Sequence, residues 1–121
     1  MKLFISPADK GPKITEVSAF KEMLRRRWAN VVIQDITDVN RCFILEWEIP
    51  HNSGYLHGKL DRSEDMMVIE FSSIELAATF AIWAFGSLAY RENIVLYDDS
   101  YSAVVPLGGD TTPLAIVEAF A

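Results

Sequence analysis

The chain has very little of the residue types that carry most enzyme chemistry. Its 121 residues include one cysteine and two histidines. A lone Cys42 cannot form an internal disulfide, and at the start of a strand we expect it to be a buried or half-buried thiol. Serine-hydrolase elbows, phosphate-binding glycine loops and zinc-spaced histidine pairs are all missing from the sequence. We therefore expect no cofactor and no metal.

The chain also lacks a segment typical of a secretory signal or a membrane span. Its start, MKLFISPADK, has neither a long apolar core nor a small-residue cleavage site. The most apolar segment, residues 76–90, is flanked by charged residues and is shorter than the roughly 20 residues that a spanning helix needs. We expect no membrane association and a cytoplasmic location.

Positive charge is scarce beyond the first helix. The net charge is -6, but residues 1–27 carry a balance of +4 and residues 28–121 a balance of -10. A surface of that sign repels nucleic-acid phosphates and attracts cations. The sequence therefore predicts a basic protein partner and no nucleic acid. The run Arg25-Arg26-Arg27 is the exception, and we interpret it as the solvated C-terminal end of a helix.

Apolar residues, in contrast, make up half of the chain, and 12% of the residues are aromatic. This is enough to build the core of a single domain, 1–121. Alternation and helical spacing predict the α+β order β-α-β-β-β-β-α-β-β-α, with helices packed on one face of an antiparallel β-meander. The predicted strands are residues 2–6, 31–37, 42–49, 55–61, 66–71, 93–98 and 101–107. The predicted helices are residues 15–29, a helix from the Ser72-Ser73-Ile74-Glu75 capping box to residue 89, and 113–120.

The alternation in the central strands also predicts their register. If apolar side chains share one face, Trp47 lies opposite Gly58 and Leu45 lies opposite Leu60. The same register, with Asp61 opposite Met66 in the next hairpin, defines the polar face.

On that face the register predicts a row of three polar side chains from adjacent strands, Glu48, His57 and Glu70, with Glu46 opposite Lys59. An imidazole between two carboxylates is able to act as a general acid or base, or to bind a divalent metal with them. Cross-strand pairs of opposite charge also simply stabilise sheets. His57, Glu48 and Glu70 are therefore weak catalytic candidates, whereas His51 is assigned to the turn PHNSG.

A second candidate surface is the predicted hairpin tip YDDSYS, residues 97–102. Two adjacent acids would be presented there between two tyrosines, a composition common at recognition sites. The predicted binding surface comprises Glu46, Glu48, Tyr97, Asp98, Asp99 and Tyr101. Further acids expected on the open sheet face are Asp61, Glu64, Asp65 and Glu70.

Two classes of function fit these features. We favour a small acidic non-enzymatic module that covers a basic protein, as immunity and antitoxin proteins do. The alternative is a small enzyme or a ligand- or metal-binding domain that uses the Glu48-His57-Glu70 row, or a pocket lined by Trp28, Trp47 and Trp83. A homo-oligomer through an uncovered sheet surface or edge is compatible with both.

Overall fold

The computed structural model describes residues 1–9, 12–52 and 54–121, in which three helices and seven strands follow the predicted order. The strands are β1 (Lys2–Pro7), β2 (Val32–Asp35), β3 (Phe43–His51), β4 (Gly54–Asp61), β5 (Met67–Phe71), β6 (Ile94–Asp98) and β7 (Val104–Pro106). The helices are α1 (Val17–Arg27), α2 (Ile74–Ser87) and α3 (Pro113–Phe120). Parts of the loop ADKGPK and of the turn PHNSG lie outside the described residues.

The strands form one antiparallel sheet in the order β2-β3-β4-β5-β1-β6-β7. The predicted meander is confirmed for β2 to β5. The sequence did not indicate that β1 inserts between β5 and β6. A central position suits β1, because its inward side chains Leu3 and Ile5 are fully buried. Both edges of β1 are also hydrogen-bonded to neighbouring strands, so neither is left unpaired.

One face of the sheet and all three helices share a single core. The predicted pairs Trp47–Gly58 and Leu45–Leu60 are confirmed, so the inward side chains fall on one face. Helices supply buried side chains to the same cluster: Phe20 and Leu24 from α1, Phe80 from α2 and Ile116 from α3. The α+β class with helices on one face is therefore confirmed.

The start of α1 is more fully capped than the sequence indicated. The helix begins at Val17, two residues after the predicted start, and its N-cap is Glu16. The Glu16 carboxylate accepts hydrogen bonds from the amides of Ser18 at 3.2 Å and Ala19 at 3.1 Å. These hydrogen bonds hold the pKa of Glu16 below its usual value.

Glu64 completes that cap from a distant part of the chain. Its carboxylate accepts from the Val17 amide at 2.8 Å and from Lys13 Nζ at 2.9 Å, and its carbonyl accepts from the Ile14 amide at 2.9 Å. The Glu64 side chain is only 10% exposed. The expectation that Glu64 adds to the acidity of the open face is therefore wrong, because a helix N-terminus attracts a carboxylate.

Three other local expectations need correction. The N-cap of α2 is Ser73, which accepts from the Leu76 amide, whereas Ser72 accepts from the Tyr55 amide. Cys42 is exposed because it precedes β3 instead of beginning it. Strand β7 starts at Val104, three residues after the predicted start.

The three helices contain 8 to 14 residues each. None in the described ranges is both long enough and apolar enough to cross a membrane.

Candidate binding surface

The polar row predicted from register is present in the backbone but not in the side-chain contacts. Glu48 and Glu70 are both Cα partners of His57 on the adjacent strands. The imidazole nevertheless contacts Glu46, with Nε2 3.3 Å from Oε1. The side chain of Glu70 instead lies 3.7 Å from Lys2 Nζ on β1. His57 thus contacts a diagonal neighbour, as long side chains on a sheet allow, whereas Glu70 contacts Lys2, its directly opposed partner on β1.

Glu46 is the centre of this ion-pair network. Besides His57, its carboxylate lies 3.7 Å from Arg41 and 4.0 Å from Lys59. Lys59 also lies over the ring of Phe43, at 5.2 Å from the centroid. The negative charge of Glu46 is therefore offset by neighbouring cationic side chains, whereas the side chain of Glu48 is exposed. Of the two predicted binding glutamates, Glu48 offers the more accessible charge.

The network has the properties of a stabilising ladder on a sheet surface. The His57 side chain is 38% exposed, so solvent screens its interaction with Glu46. Within the part of the chain that the structure describes, no three His, Cys, Asp or Glu side chains are arranged to hold a metal ion. The geometry supports cross-strand pairing better than proton transfer.

A stack of three aromatic rings occupies the other end of the same sheet face. Phe4 on β1 stacks on Tyr97 of β6, with centroids 5.4 Å apart and planes inclined at 16°. Tyr101 from the β6–β7 turn stacks on the other side of Tyr97 at 5.0 Å and 6°. Tyr97 OH also lies 3.1 Å from Ser6 Oγ. Sequence reasoning identified both tyrosines but missed Phe4, because the insertion of β1 beside β6 was not predicted.

The backbone at Tyr101 is unusual. Its φ of 54° lies in the left-handed region, which a bulky residue seldom occupies. The residue is 67% exposed, so burial of its ring does not explain the conformation. Such backbone strain persists only where the surrounding structure enforces it.

Asp98 provides that enforcement. Its carboxylate accepts hydrogen bonds from the Ser102 amide at 2.7 Å and from the Ser102 hydroxyl, and its carbonyl accepts from the Tyr101 amide at 3.1 Å. The hydrogen bond from Ser102 is the main cause of the lowered pKa of Asp98. Asp98 is only 8% exposed, whereas Asp99 is exposed. At this tip, Asp98 fixes the turn and Asp99 presents the charge.

The predicted surface has two parts, the glutamates of β3 and the tyrosines at the end of β6, and the distance between them defines a broad face. β3, which carries Glu48, and β6, which carries Tyr97, are separated by three intervening strands. At about 4.8 Å between strands, their separation across the sheet is about 19 Å. A standard protein interface, roughly 800 Å² per partner, is large enough to include both.

The three tryptophans do not line one pocket among the described residues. Trp47 is 1% exposed and belongs to the core, where its ring lies 5.2 Å from that of Phe20. Trp28 and Trp83 pack edge to face at 4.6 Å above it. Trp83 lines a groove between α1 and α2, and Trp28 lines a second cleft that also contains His51.

Comparisons of the chain with protein-family models, with curated proteins and with solved structures gave no match.

Proposed function

We propose that this chain is a non-enzymatic protein-binding module that engages a basic protein through the open face of its sheet. The observation that carries the proposal is Tyr101, an exposed aromatic residue held at positive φ against Tyr97. Its function would be to give a partner a rigid aromatic contact beside the charge of Asp99.

The energetics of the turn support this role. A left-handed conformation costs a residue other than glycine about 1–2 kcal/mol. Stacking two aromatic rings contributes about 0.5–1.5 kcal/mol, and less where solvent has access. Tyr101 therefore gives little net stability to its own fold. A pre-ordered tyrosine does improve binding, because less side-chain entropy is lost when the complex forms.

The chemistry of the proposed partner follows from charge. The chain carries a net charge of -6, and both Glu48 and Asp99 are exposed on or beside the open face. Complementary charge increases association rates and specificity, and its effect weakens as salt screens it. The proposal includes the immunity or antitoxin type of module, in which the basic partner is a cationic toxin.

The catalytic alternative has weaker support. The His57 side chain is 38% exposed and contacts Glu46, whose carboxylate also lies near the cationic side chains of Arg41 and Lys59. His57, Glu46 and Glu48 line a cavity of about 120 Å³, which is smaller than the roughly 300–1,000 Å³ typical of a small-molecule site. We therefore base the proposed function on the aromatic stack and not on the polar row.

A capture experiment with matched variants tests the proposal. Extract from the source cells is passed over the immobilised wild-type chain and over Tyr101→Ala and Asp99→Lys variants. A basic protein held by the wild type and lost by both variants supports the proposal, provided that the purified pair then binds in a salt-sensitive manner. Glu92→Lys provides the charge control, because Glu92 is an exposed acid in the α2–β6 loop.

Three outcomes would count against the proposal. The first is a retained protein that is acidic, and the second is equal loss of binding in Glu92→Lys. The third is self-association of the chain through this face, visible as a Tyr101-dependent dimer in sedimentation, which would replace the basic partner with a second copy.

A further inference from the structure

The helical side of the molecule has a groove that the proposed function does not use. It lies between α1 and α2 and has a volume of about 580 Å³. Small-molecule sites typically have about 300–1,000 Å³. The residues that line it are Met23, Arg26 and Arg27 from α1 and Ile82, Trp83, Gly86 and Ser87 from α2. Because the helices cover the opposite face of the sheet, this groove is separate from the aromatic stack.

Gly86 is the first observation that favours binding of a ligand in the groove. It lies near the end of α2, although glycine is among the weakest helix formers. Its φ is not positive, and a Cβ atom added there would have no neighbour within 4 Å. Neither the backbone nor the packing of this chain therefore requires glycine. Its effect is to leave the groove open at this point.

The charge at the groove is the second indication. Arg26 and Arg27 are exposed at the end of α1, in a protein whose net charge is -6. Arg26 lies 3.9 Å from Glu22, a long distance for an ion pair, and Arg27 lies over the ring of Trp28 at 4.7 Å. Guanidinium groups hold carboxylates by paired hydrogen bonds. At this groove both arginines lie beside apolar side chains, among them Met23 and Trp83.

We propose that this groove binds a small amphipathic carboxylate, with an alkyl or aryl tail. The tail lies along Met23, Ile82 and Trp83, and the carboxylate is held at the rim by Arg26 and Arg27. Few polar groups beside a mainly apolar wall are typical of such sites, because the wall provides affinity and the polar groups orient the ligand. A nucleotide fits less well, since its polar base and sugar would lie on apolar side chains.

Binding of octanoate and of its uncharged analogue octanol tests this site on the intact chain. Titrations are followed by calorimetry and by tryptophan fluorescence, which responds to contact with Trp83. We expect octanoate to bind about tenfold more tightly than octanol, as a hydrogen-bonded charge predicts. The double variant Arg26→Gln/Arg27→Gln should abolish that difference. Arg25→Gln, an exposed neighbour that does not line the groove, should preserve it.

The variant Gly86→Leu distinguishes binding in the groove from binding elsewhere on the protein. Leucine favours the helix and fills the open space, so affinity for both ligands should fall by about tenfold or more while the thermal midpoint is maintained or raised. Ile82→Ala, which removes part of the wall, is the second variant if Gly86→Leu does not fold. The proposal is overturned if octanoate and octanol bind equally or not at all. It is also overturned if Arg25→Gln matches the double variant, or if neither groove variant changes affinity.

Discussion

The indole of Trp47 lies so close to Gly58 on the neighbouring strand that a Cβ atom there would be 2.1 Å from Trp47 Cε2. Both residues are in the core, and Trp47 is 1% exposed, so the ring has no room to move away. We predict that Gly58→Ala lowers the free energy of unfolding by about 1–3 kcal/mol, the usual cost of overpacking. Urea denaturation provides the measurement.

A double-mutant cycle tests the cause of that loss. In a Trp47→Leu background, Gly58→Ala should cost much less, because the clashing ring is gone. An equal cost in both backgrounds would mean that the effect of Gly58→Ala comes from the strand itself and not from contact with Trp47.

The N-terminus of α1 depends on Glu64, which is more than forty residues away in sequence. Glu64→Ala removes the partner of the Val17 amide and of Lys13, and we expect the protein to lose about 1–2 kcal/mol of stability. Glu92→Ala, at an exposed site, should change stability by less than about 0.5 kcal/mol. Similar values for the two variants would show that the cap does not stabilise the helix.

Tyr101 should show a conflict between stability and binding. Tyr101→Gly relieves the positive φ and loses the stack on Tyr97, so we expect stability to be unchanged or raised by up to about 1 kcal/mol. Partner binding should be lost in the same variant. Thermal unfolding measures the first effect. A loss of more than 2 kcal/mol would indicate instead that the stack mainly holds the fold together.

The pH dependence of the β6–β7 turn follows from Asp98. Because its pKa is lowered in the folded state, its ionised form stabilises the turn above the unfolded-state pKa. That stabilisation is lost as the pH falls through the lower, folded-state pKa. We predict that the Ser102 amide resonance, followed by NMR, titrates below the ordinary range of an aspartate. A midpoint at the ordinary value would contradict the hydrogen bond between Ser102 and Asp98.

Much of the fold was predictable because local patterns determine it. Alternating apolar residues and short polar links fixed the register of β3, β4 and β5, including the Trp47–Gly58 and His57–Glu70 pairs. The place of β1 was not predictable in this way. It is joined to α1 by a loop, and neither alternation nor loop length specifies which strands a first strand will pair with.

The candidate surface was predictable only at the level of strands. Register placed Glu48 beside His57, but the choice between directly opposed and diagonal partners depends on side-chain reach and on neighbouring cations such as Arg41. The roles of Asp98 and Glu64 were missed for a related reason. Each has turned its carboxylate toward backbone amides, a contact that composition and alternation do not reveal.

The most direct test of the proposed function is the affinity of a purified basic partner for wild-type chain and for Tyr101→Ala, measured by calorimetry at low and at high salt. We predict that Tyr101→Ala weakens binding by at least about tenfold, that Leu114→Ala at an exposed site on α3 has little effect, and that wild-type affinity falls as salt increases. Binding that is unchanged in Tyr101→Ala and insensitive to salt would contradict the account.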